Sequence, residues 1–327
     1  MPDFNAPILV TGANGFIGAN AVRRLAADGR RVVACDAYPT ASRQDARYFA
    51  DLPERFVDLN DLERWLREDK PQLAGVVHLG ACSDTTVRDR DLVMRLNYDY
   101  SRMLFTWCAD AGVPLVYASS AATYGDGSQG FDDNADPARL RPINLYGESK
   151  QRFDLWALEQ THTPLYFAGV KYFNVYGPCE NHKARMASMA YHWFNQIRDA
   201  GEARLFKSHR PDYEDGGQLR DFIYVDDAVD ATLHLLNNPA ARGLYNVGTG
   251  QARAFADLAH AVFAALDRPA KLVFIPMPED LRAQYQYFTQ ATTAKLRAVG
   301  YARPFTSLEA GVAAYVKHRL ASEAACG

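Results

Sequence analysis

The stretch Ile8-Leu9-Val10-Thr11-Gly12-Ala13-Asn14-Gly15-Phe16-Ile17-Gly18 constrains the fold of this chain more than any other. Three apolar residues lead into a glycine-rich turn, and an apolar-periodic run follows from Phe16 toward Leu25. That order reads as strand, tight turn and helix. Gly12 permits the turn, Gly15 lets backbone approach a pyrophosphate, and Gly18 lets the helix lie close to the strand. The start of the helix presents unpaired N–H groups to the phosphates. A glycine triple also marks ordinary tight turns. The strand before it and the helix after it make this one the opening half of a dinucleotide-binding unit.

Short β-branched runs and helical segments alternate after this unit, which predicts a parallel sheet with helices on both faces. Arg31 to Cys35 ends in Asp36, Phe56 to Asp58 is followed by a helix over Leu59 to Glu68, and Gly75 to Leu79 opens into Gly80-Ala81-Cys82-Ser83. A long helix is expected over Asp91 to Ala111, then a strand over Leu115 to Ala118 leading into Ser119-Ser120, a helix from about Tyr146 and a strand over Leu165 to Val170. Beyond Lys171 the alternation weakens: helices are expected over Met186 to Ala200, Asp227 to Asn237, Phe255 to Leu266 and Leu308 to Leu320. The fold class is therefore α/β, a Rossmann-type doubly wound parallel sheet with a smaller, interleaved C-terminal lobe for substrate. The expected division gives residues 1–171 and about 218–250 to the dinucleotide-binding domain, and 172–217 and 251–327 to the lobe.

Bulk properties exclude several classes of function. A net charge of −3 over 327 residues offers nothing to a nucleic acid or an anionic membrane. No apolar run reaches the ~18 residues that span a bilayer, and Met1-Pro2-Asp3-Phe4-Asn5 has neither the basic flank nor the apolar core of a secretory leader. Cys35, Cys82, Cys108, Cys179 and Cys326 are odd in number and lack metal-ligand spacing. They read as reduced thiols of a cytoplasmic enzyme, with no metal site expected.

Chemistry is concentrated in Tyr146-Gly147-Glu148-Ser149-Lys150, where Tyr and Lys at i and i+4 share one helix face. A phenol titrates near pH ~10 and needs a neighbouring cation to act as a base at neutral pH. An ammonium one turn away and an oxidised nicotinamide would supply that charge, and the tyrosine would move a hydroxyl proton as the cofactor takes the hydride. Such a pair also arises by chance on exposed helices. Ser119-Ser120 at the end of the preceding strand, where a parallel sheet opens into its site, singles this one out.

The glycine turn, the strand-end serine and the Tyr/Lys helix together resemble the extended short-chain dehydrogenase/reductases that act on nucleotide sugars. Further runs narrow the resemblance to the ADP-glycero-manno-heptose 6-epimerase family, over nearly the whole chain. They are His78-Leu79-Gly80-Ala81-Cys82-Ser83, Tyr117-Ala118-Ser119-Ser120-Ala121-Ala122-Thr123-Tyr124-Gly125, Tyr172-Phe173-Asn174-Val175-Tyr176-Gly177-Pro178, His182-Lys183, Met186-Ala187-Ser188, Arg220-Asp221-Phe222, Asn246 to Gly250 and Phe288-Thr289-Gln290. The Cys-Ser loop and the His-Lys pair are the most specific of these. The resemblance implies that Ser120 bonds the reacting oxygen, Tyr146 is an acid/base group and Lys150 holds the nicotinamide ribose. Lys183, which alone would pass for a solvated surface lysine, becomes a second acid/base group. Inverting a carbinol through a transient ketone requires hydride to leave one face and return to the other, so acid/base groups must serve two poses. The implied reaction inverts the six-position carbon of an ADP-heptose through a 6-keto intermediate, for lipopolysaccharide core assembly.

By the same resemblance Gly12, Gly15, Phe16, Ile17, Gly18, Asp36, Ala37, Asp58, Leu59, Leu79, Gly80, Ala81, Cys82, Ser83, Asn97, Val175 and Lys183 meet the cofactor, with Tyr146 and Lys150. Asn97 also reads as a polar residue on the wet face of its helix. Asp36 stands where a carboxylate accepts from an adenosine ribose hydroxyl, which suits NAD. Arg43 in the following loop suits a ribose phosphate, and the family uses NADP despite the acidic residue. NADP is the expectation, and NAD stays open. Asn174, Arg185, His192, Phe206, Arg220 and Tyr285 match substrate-contact positions, with Ser120. Arg220 beside Asp221 is either a surface ion pair or a fork for pyrophosphate, and His192 is either a contact or a rim histidine. Arg185 replaces a small serine usual in the family, and Lys207 to Gly217 is longer than in some members.

Rival readings share the fold. A dehydratase would need acid/base carboxylates where Ala121 and Ala122 stand. A UDP-hexose 4-epimerase using NAD remains the alternative and would not need Lys183. A redox sensor on this fold would lack the Tyr/Lys pair. The expected partner is a nucleotide sugar, with neither nucleic acid nor membrane, and the resemblance implies further copies of the chain, in a homo-oligomer such as a pentamer.

Overall fold

A computed structural model describes residues 5–37, 53–282 and 285–324. Arg43 and Cys326 lie outside the described residues. The chain opens with β1 (Ile8–Thr11), α1 (Phe16–Ala27), β2 (Val32–Asp36), β3 (Arg55–Asp58), α2 (Leu62–Glu68) and β4 (Gly75–His78). It continues through α3 (Arg90–Met94), a π-helical turn (Arg95–Asp99), α4 (Tyr100–Ala111), β5 (Leu115–Ser120), α5 (Leu145–Glu159), β6 (Phe167–Tyr172) and β7 (Asn174–Tyr176). Then come α6 (Met189–Ala200), β8 (Ala203–Phe206), β9 (Leu219–Tyr224), α7 (Val225–Leu236), β10 (Gly243–Val247), β11 (Ala252–Ala254) and α8 (Phe255–Ala265). The last elements are β12 (Leu272–Ile275), α9 (Glu279–Arg282), α10 (Ala294–Ala298) and α11 (Leu308–Ala324).

Seven strands form one sheet in the order β10-β6-β5-β4-β1-β2-β3, and every pairing in it is parallel. This is the expected doubly wound sheet, with its order reversing between β1 and β4. Parallel sheets covered on both faces require strands apolar on both sides, and β1, β4 and β6 are buried at every residue. Alternate residues serve opposite layers. Val10 packs in the core with Val22 and Leu25 of α1 and Val229 of α7, whereas Leu9 faces Leu66 of α2, Leu104 and Phe105 of α4 and Phe153 of α5.

The structure departs from the sequence reading in three places. Strand β9, within the 218–250 segment expected in the dinucleotide-binding domain, pairs with β7 and β11 in a three-stranded sheet, while α7 and β10 join the large one. A separate pair joins β8 to β12. The long helix over Asp91 to Ala111 is interrupted by the π turn, at the point where Asn97 turns inward and is fully buried; such bulges recur at functional sites. Helix α6 begins only at Met189, because Ser188 is extended and its hydroxyl caps the Tyr191 N–H. Residues Asn181–Met186 form a 3₁₀ turn broken at Ala184, whose φ is 46°.

Glycine is needed where α1 meets β1. Gly12 has φ 67°, and a Cβ there would stand 2.6 Å from the Gly80 nitrogen. A Cβ on Gly18 would stand 2.0 Å from the Gly12 oxygen. Gly18→Ala therefore must push α1 away from the turn. Overpacking of this kind costs roughly 1–3 kcal/mol, and a drop of that size is expected in urea unfolding; an unchanged midpoint would show that the turn can yield.

Candidate active site

A cleft of about 790 Å³ opens at the carboxyl ends of the large sheet's strands, across the point where strand order reverses. In open α/β sheets this crevice is where ligands bind. Gly12, Gly15, Phe16, Ile17 and Gly18 line one side. Gly15 starts α1 without a side-chain cap, so the first N–H groups of the helix are left for an anion. Asp36 and Ala37 bound the end of the cleft. The Asp36 carboxylate accepts from the Asn14 N–H at 2.8 Å and the Ala37 N–H at 2.7 Å, which ties the strand end to the glycine turn. Leu59, Leu79, Gly80, Ala81 and Ser83 complete this half. Glycine turn, uncapped helix start and strand-end carboxylate follow one another along the cleft, so its residues fit a dinucleotide.

The other half is built by α5 against the end of β5. Asn144 caps α5 by accepting from the Gly147 N–H, which sets Tyr146 and Lys150 on the face turned to the strand. Ser120, Tyr146 and Lys150 all line the cleft. The Tyr146 phenol is pushed up by burial, against which its hydrogen bond to Ser120 acts downward. Lys150 donates to the Ala118 carbonyl at 2.8 Å, and its nitrogen lies 6.0 Å from the centre of the Tyr146 ring. Burial pushes the Lys150 ammonium down to about 8, with Asp154 opposing. His78 nearby is a core group that bridges Thr11 and Ser101.

The turn after β7 closes the cleft. Lys183 lines it with its ammonium 5.3 Å above the Phe16 ring, and burial lowers its pKa against the opposing charge of Glu180. Glu180, fully buried, accepts from the Ser188 N–H and hydroxyl at 2.6 and 2.7 Å, and Asn20 of α1 donates to the Pro178 carbonyl at 2.9 Å. Asn174 and Val175 line the cleft as well.

Other predicted contacts lie outside this cleft, and each has a definite place. Asn97, expected at the cofactor, has no exposed surface. Its oxygen accepts from the Cys82 N–H at 2.7 Å, and its nitrogen donates to the Cys82 carbonyl at 3.0 Å and to the Ser149 hydroxyl at 2.9 Å. It holds the loop after β4 against α5 and so supports the wall of the cleft. Asp58 lies in register with Asp36 and is engaged by the Asn60 N–H and amide. Arg185 turns toward Thr86 and Asp84 across the mouth of the cleft and stays exposed. His192, half-buried, packs edge-on to Tyr191. Phe206, Tyr285 and Arg220 form one cluster. The Phe206 ring meets Tyr285 at 6.3 Å, and the Arg220 guanidinium stands 5.2 Å over Tyr285 and 5.5 Å over Phe255, which lines the cleft. Asp221 does not pair with Arg220; it accepts from Thr249, Gly250 and Ala291.

The lining residues that lie outside every run singled out in the sequence are Asp84, Leu96, Tyr100, Met189 and Phe255. Asp84 and Met189 adjoin runs already singled out, whereas Phe255 is brought in only by the second sheet. Among the described residues no His/Cys/Asp/Glu group could hold a metal ion, and no helix is long and apolar enough to cross a membrane. Cys35, Cys82, Cys108 and Cys179 form no disulfide.

A doubly wound sheet with a glycine turn, a strand-end serine and a Tyr/Lys helix on one cleft defines a Rossmann-fold protein of the short-chain dehydrogenase/reductase type. The model of the NAD dependent epimerase/dehydratase family matches residues 8–248, and the chain belongs to that family. It is 48% identical to the ADP-L-glycero-D-manno-heptose-6-epimerase of Nitratidesulfovibrio vulgaris strain DP4, over 96% of this chain and 98% of that one. The crystal structure of the Helicobacter pylori ADP-L-glycero-D-manno-heptose-6-epimerase superposes with a TM-score of 0.81, at 28% identity and 97% coverage of each chain. The Thermus thermophilus UDP-glucose 4-epimerase in complex with NAD gives a TM-score of 0.75 at 28% identity, over 95% of this chain and 98% of that one.

Asn97→Ala takes their side-chain partner from the Cys82 N–H and carbonyl, while the Ser149 hydroxyl loses one donor and keeps its bond to the Tyr146 carbonyl. Unpaired buried groups cost about 1–3 kcal/mol each. Urea unfolding is expected to show a loss of at least that order, and a loss below about 0.5 kcal/mol would mean that water replaces the amide.

Proposed function

We propose that the protein interconverts ADP-D-glycero-β-D-manno-heptose and ADP-L-glycero-β-D-manno-heptose by inverting the six-position carbon through a transient 6-keto sugar, with tightly held NADP. The observation that carries this reading is that Tyr146 and Lys183, from elements far apart in sequence, line the same cleft as the glycine turn. The relative at 48% identity supports the choice of sugar.

A bound nicotinamide would supply the hydride acceptor and donor. In one pose the Tyr146 phenolate, favoured by the charge of Lys150, takes the carbinol proton and becomes the phenol, with Ser120 bonding the reacting oxygen. In the second pose Lys183 serves the oxygen of the inverted centre; desolvation lowers the pKa of its amine, the direction that favours proton transfer. Phe206, Arg220 and Tyr285 hold the nucleotide end, with stacking surface and a planar cation suited to pyrophosphate. Asn174, Arg185 and His192 belong to the same substrate side. The large sheet with its helices forms the dinucleotide-binding domain, and the two small sheets with α6 and α8 form the substrate lobe. A cytoplasmic homo-oligomer that supplies heptose for lipopolysaccharide core assembly goes with this reading.

Purified protein incubated with either ADP-heptose epimer, without added nicotinamide, is expected to reach the same epimer mixture, to leave UDP-galactose unchanged and to release NADP on denaturation. Turnover of UDP-galactose with no interconversion of the heptoses would overturn the reading. Tyr146→Phe and Lys183→Met are each expected to lower kcat by about 10²–10⁴-fold, the usual worth of a positioned acid/base group. Lys183→Met with full activity would favour a 4-epimerase. The Lys150 charge is present below about 8 and lost above it, so kcat should fall on the alkaline side as Tyr146 loses its cation. In Lys150→Arg, which stays charged, that alkaline limb should move upward.

A further inference from the structure

A buried ion pair lies beneath Tyr146 and Lys150 and has no role in the chemistry described so far. Asp154 is 0% exposed and Lys171 2%, with carboxylate and ammonium 2.8 Å apart. Asp154 also accepts from the Ser119 hydroxyl at 2.7 Å and the Tyr117 phenol at 3.1 Å. Lys171 also donates to the Thr123 hydroxyl at 2.7 Å, and that hydroxyl donates to the Ser120 carbonyl at 2.8 Å. The pair is thus linked to both strand-end serines and to nothing outside the protein.

Helix and strand run in step from Tyr146 to Lys150, which meet Ser120 and the Ala118 carbonyl. Four residues of α-helix rise about 6 Å, and two residues of strand rise about 6.6 Å. Along one face of α5, Tyr146 meets Ser120, Lys150 meets the Ala118 carbonyl and Asp154 meets Ser119 and Tyr117. Lys171 closes the set from β6, where it lies in register with Ser119. Replacing a buried ion pair by apolar side chains is often neutral or stabilising, so stability alone does not account for this one.

We propose that Asp154 and Lys171 are positioning residues for the Tyr146/Lys150 dyad, fixing the register of α5 on β5 and balancing each other's charge beside it. The proposal rests on the epimerase reading for the use of Tyr146. The groups that face the dyad are Asp154 on α5, His78 on β4, Cys82 in the loop after β4, Tyr117 on β5, Tyr124 in the turn after β5 and Lys171 on β6. The Asp154 charge raises both Tyr146 and Lys150, so removing either member of the pair shifts the dyad in a predictable direction.

The test uses the full-length, cofactor-bound protein and two readouts: the pH dependence of kcat, and tyrosinate difference absorbance against a Tyr146→Phe reference, which needs no substrate. Asp154→Asn removes a negative charge, so the acid limb and the tyrosinate titration should both move down, by about one pH unit. Lys171→Met bares the carboxylate, and both should move up by a similar amount. The double variant should return both toward the wild type, with KM barely changed throughout. If a single variant fails to fold, Ser119→Ala and Thr123→Val carry the test, since the first removes one hydrogen bond, the second removes two, and neither removes a charge. The first bares Asp154 and should move the limb up; the second leaves Lys171 wholly to Asp154 and should move it down. Lower kcat at every pH with no displacement in either readout would overturn the proposal and leave the pair structural. A wild type inactive on ADP-heptoses would remove the epimerase reading alone and leave the tyrosinate titration to judge the pair.

Discussion

The register of one helix on one strand governs the chemistry of this site. Helix α5 brings Tyr146 and Lys150 to the end of β5, and their value to any reaction depends on where Ser120 and the Ala118 carbonyl stand. A shift of one residue would rotate the helix by about 100° and turn the phenol away from Ser120. The contacts that prevent this are polar and buried, so each is costly to leave unmade. Phe153, one residue before Asp154, packs edge-on to Tyr117 at 4.7 Å and gives the same alignment an apolar component.

The dinucleotide half of the cleft is set differently. There the backbone fixes the geometry: α1 meets the turn after β1 so closely that no side chain fits at Gly12 or Gly18. The wall that holds Lys183 is set by strain against anchors. Cys179 and Ala184, neither of them glycine, have φ of 70° and 46°, a conformation that costs of order 1–3 kcal/mol at such residues. Glu180, through Ser188, and Asn20, through Pro178, hold the turn in place. The three parts of the cleft thus rest on three kinds of constraint: steric closeness, buried polar register and anchored strain.

Much of the fold was legible because parallel sheets write themselves into sequence as short apolar runs between periodic helices. Boundaries held to within a few residues where a cap marks them, as Asn144 does for α5. They slipped where a side chain chose a tertiary partner. Asn97 shows this best: the three hydrogen bonds of its side chain go to Cys82 and Ser149, partners that no local pattern announces. Arg220 is a second case, since a neighbouring aspartate suggests an ion pair that the alternation of strand faces forbids; Asp221 points to the Thr249–Gly250 turn instead. Phe255 could not be found by any local pattern, because it is carried to the cleft by pairing of β9 and β11 across a long separation.

Sequence alone determined the local geometry: a glycine turn between strand and helix, a Tyr and Lys one turn apart, a serine pair at a strand end. Each depends on residues close in the chain, so spacing suffices. Tertiary structure alone decided which of these face one cleft, where Arg185 and Arg220 point, and that Asp154 and Lys171 meet beneath the dyad. Those outcomes depend on strand order and on burial. A buried charge must find its partner wherever the fold puts one, and neither requirement leaves a periodic trace along the chain.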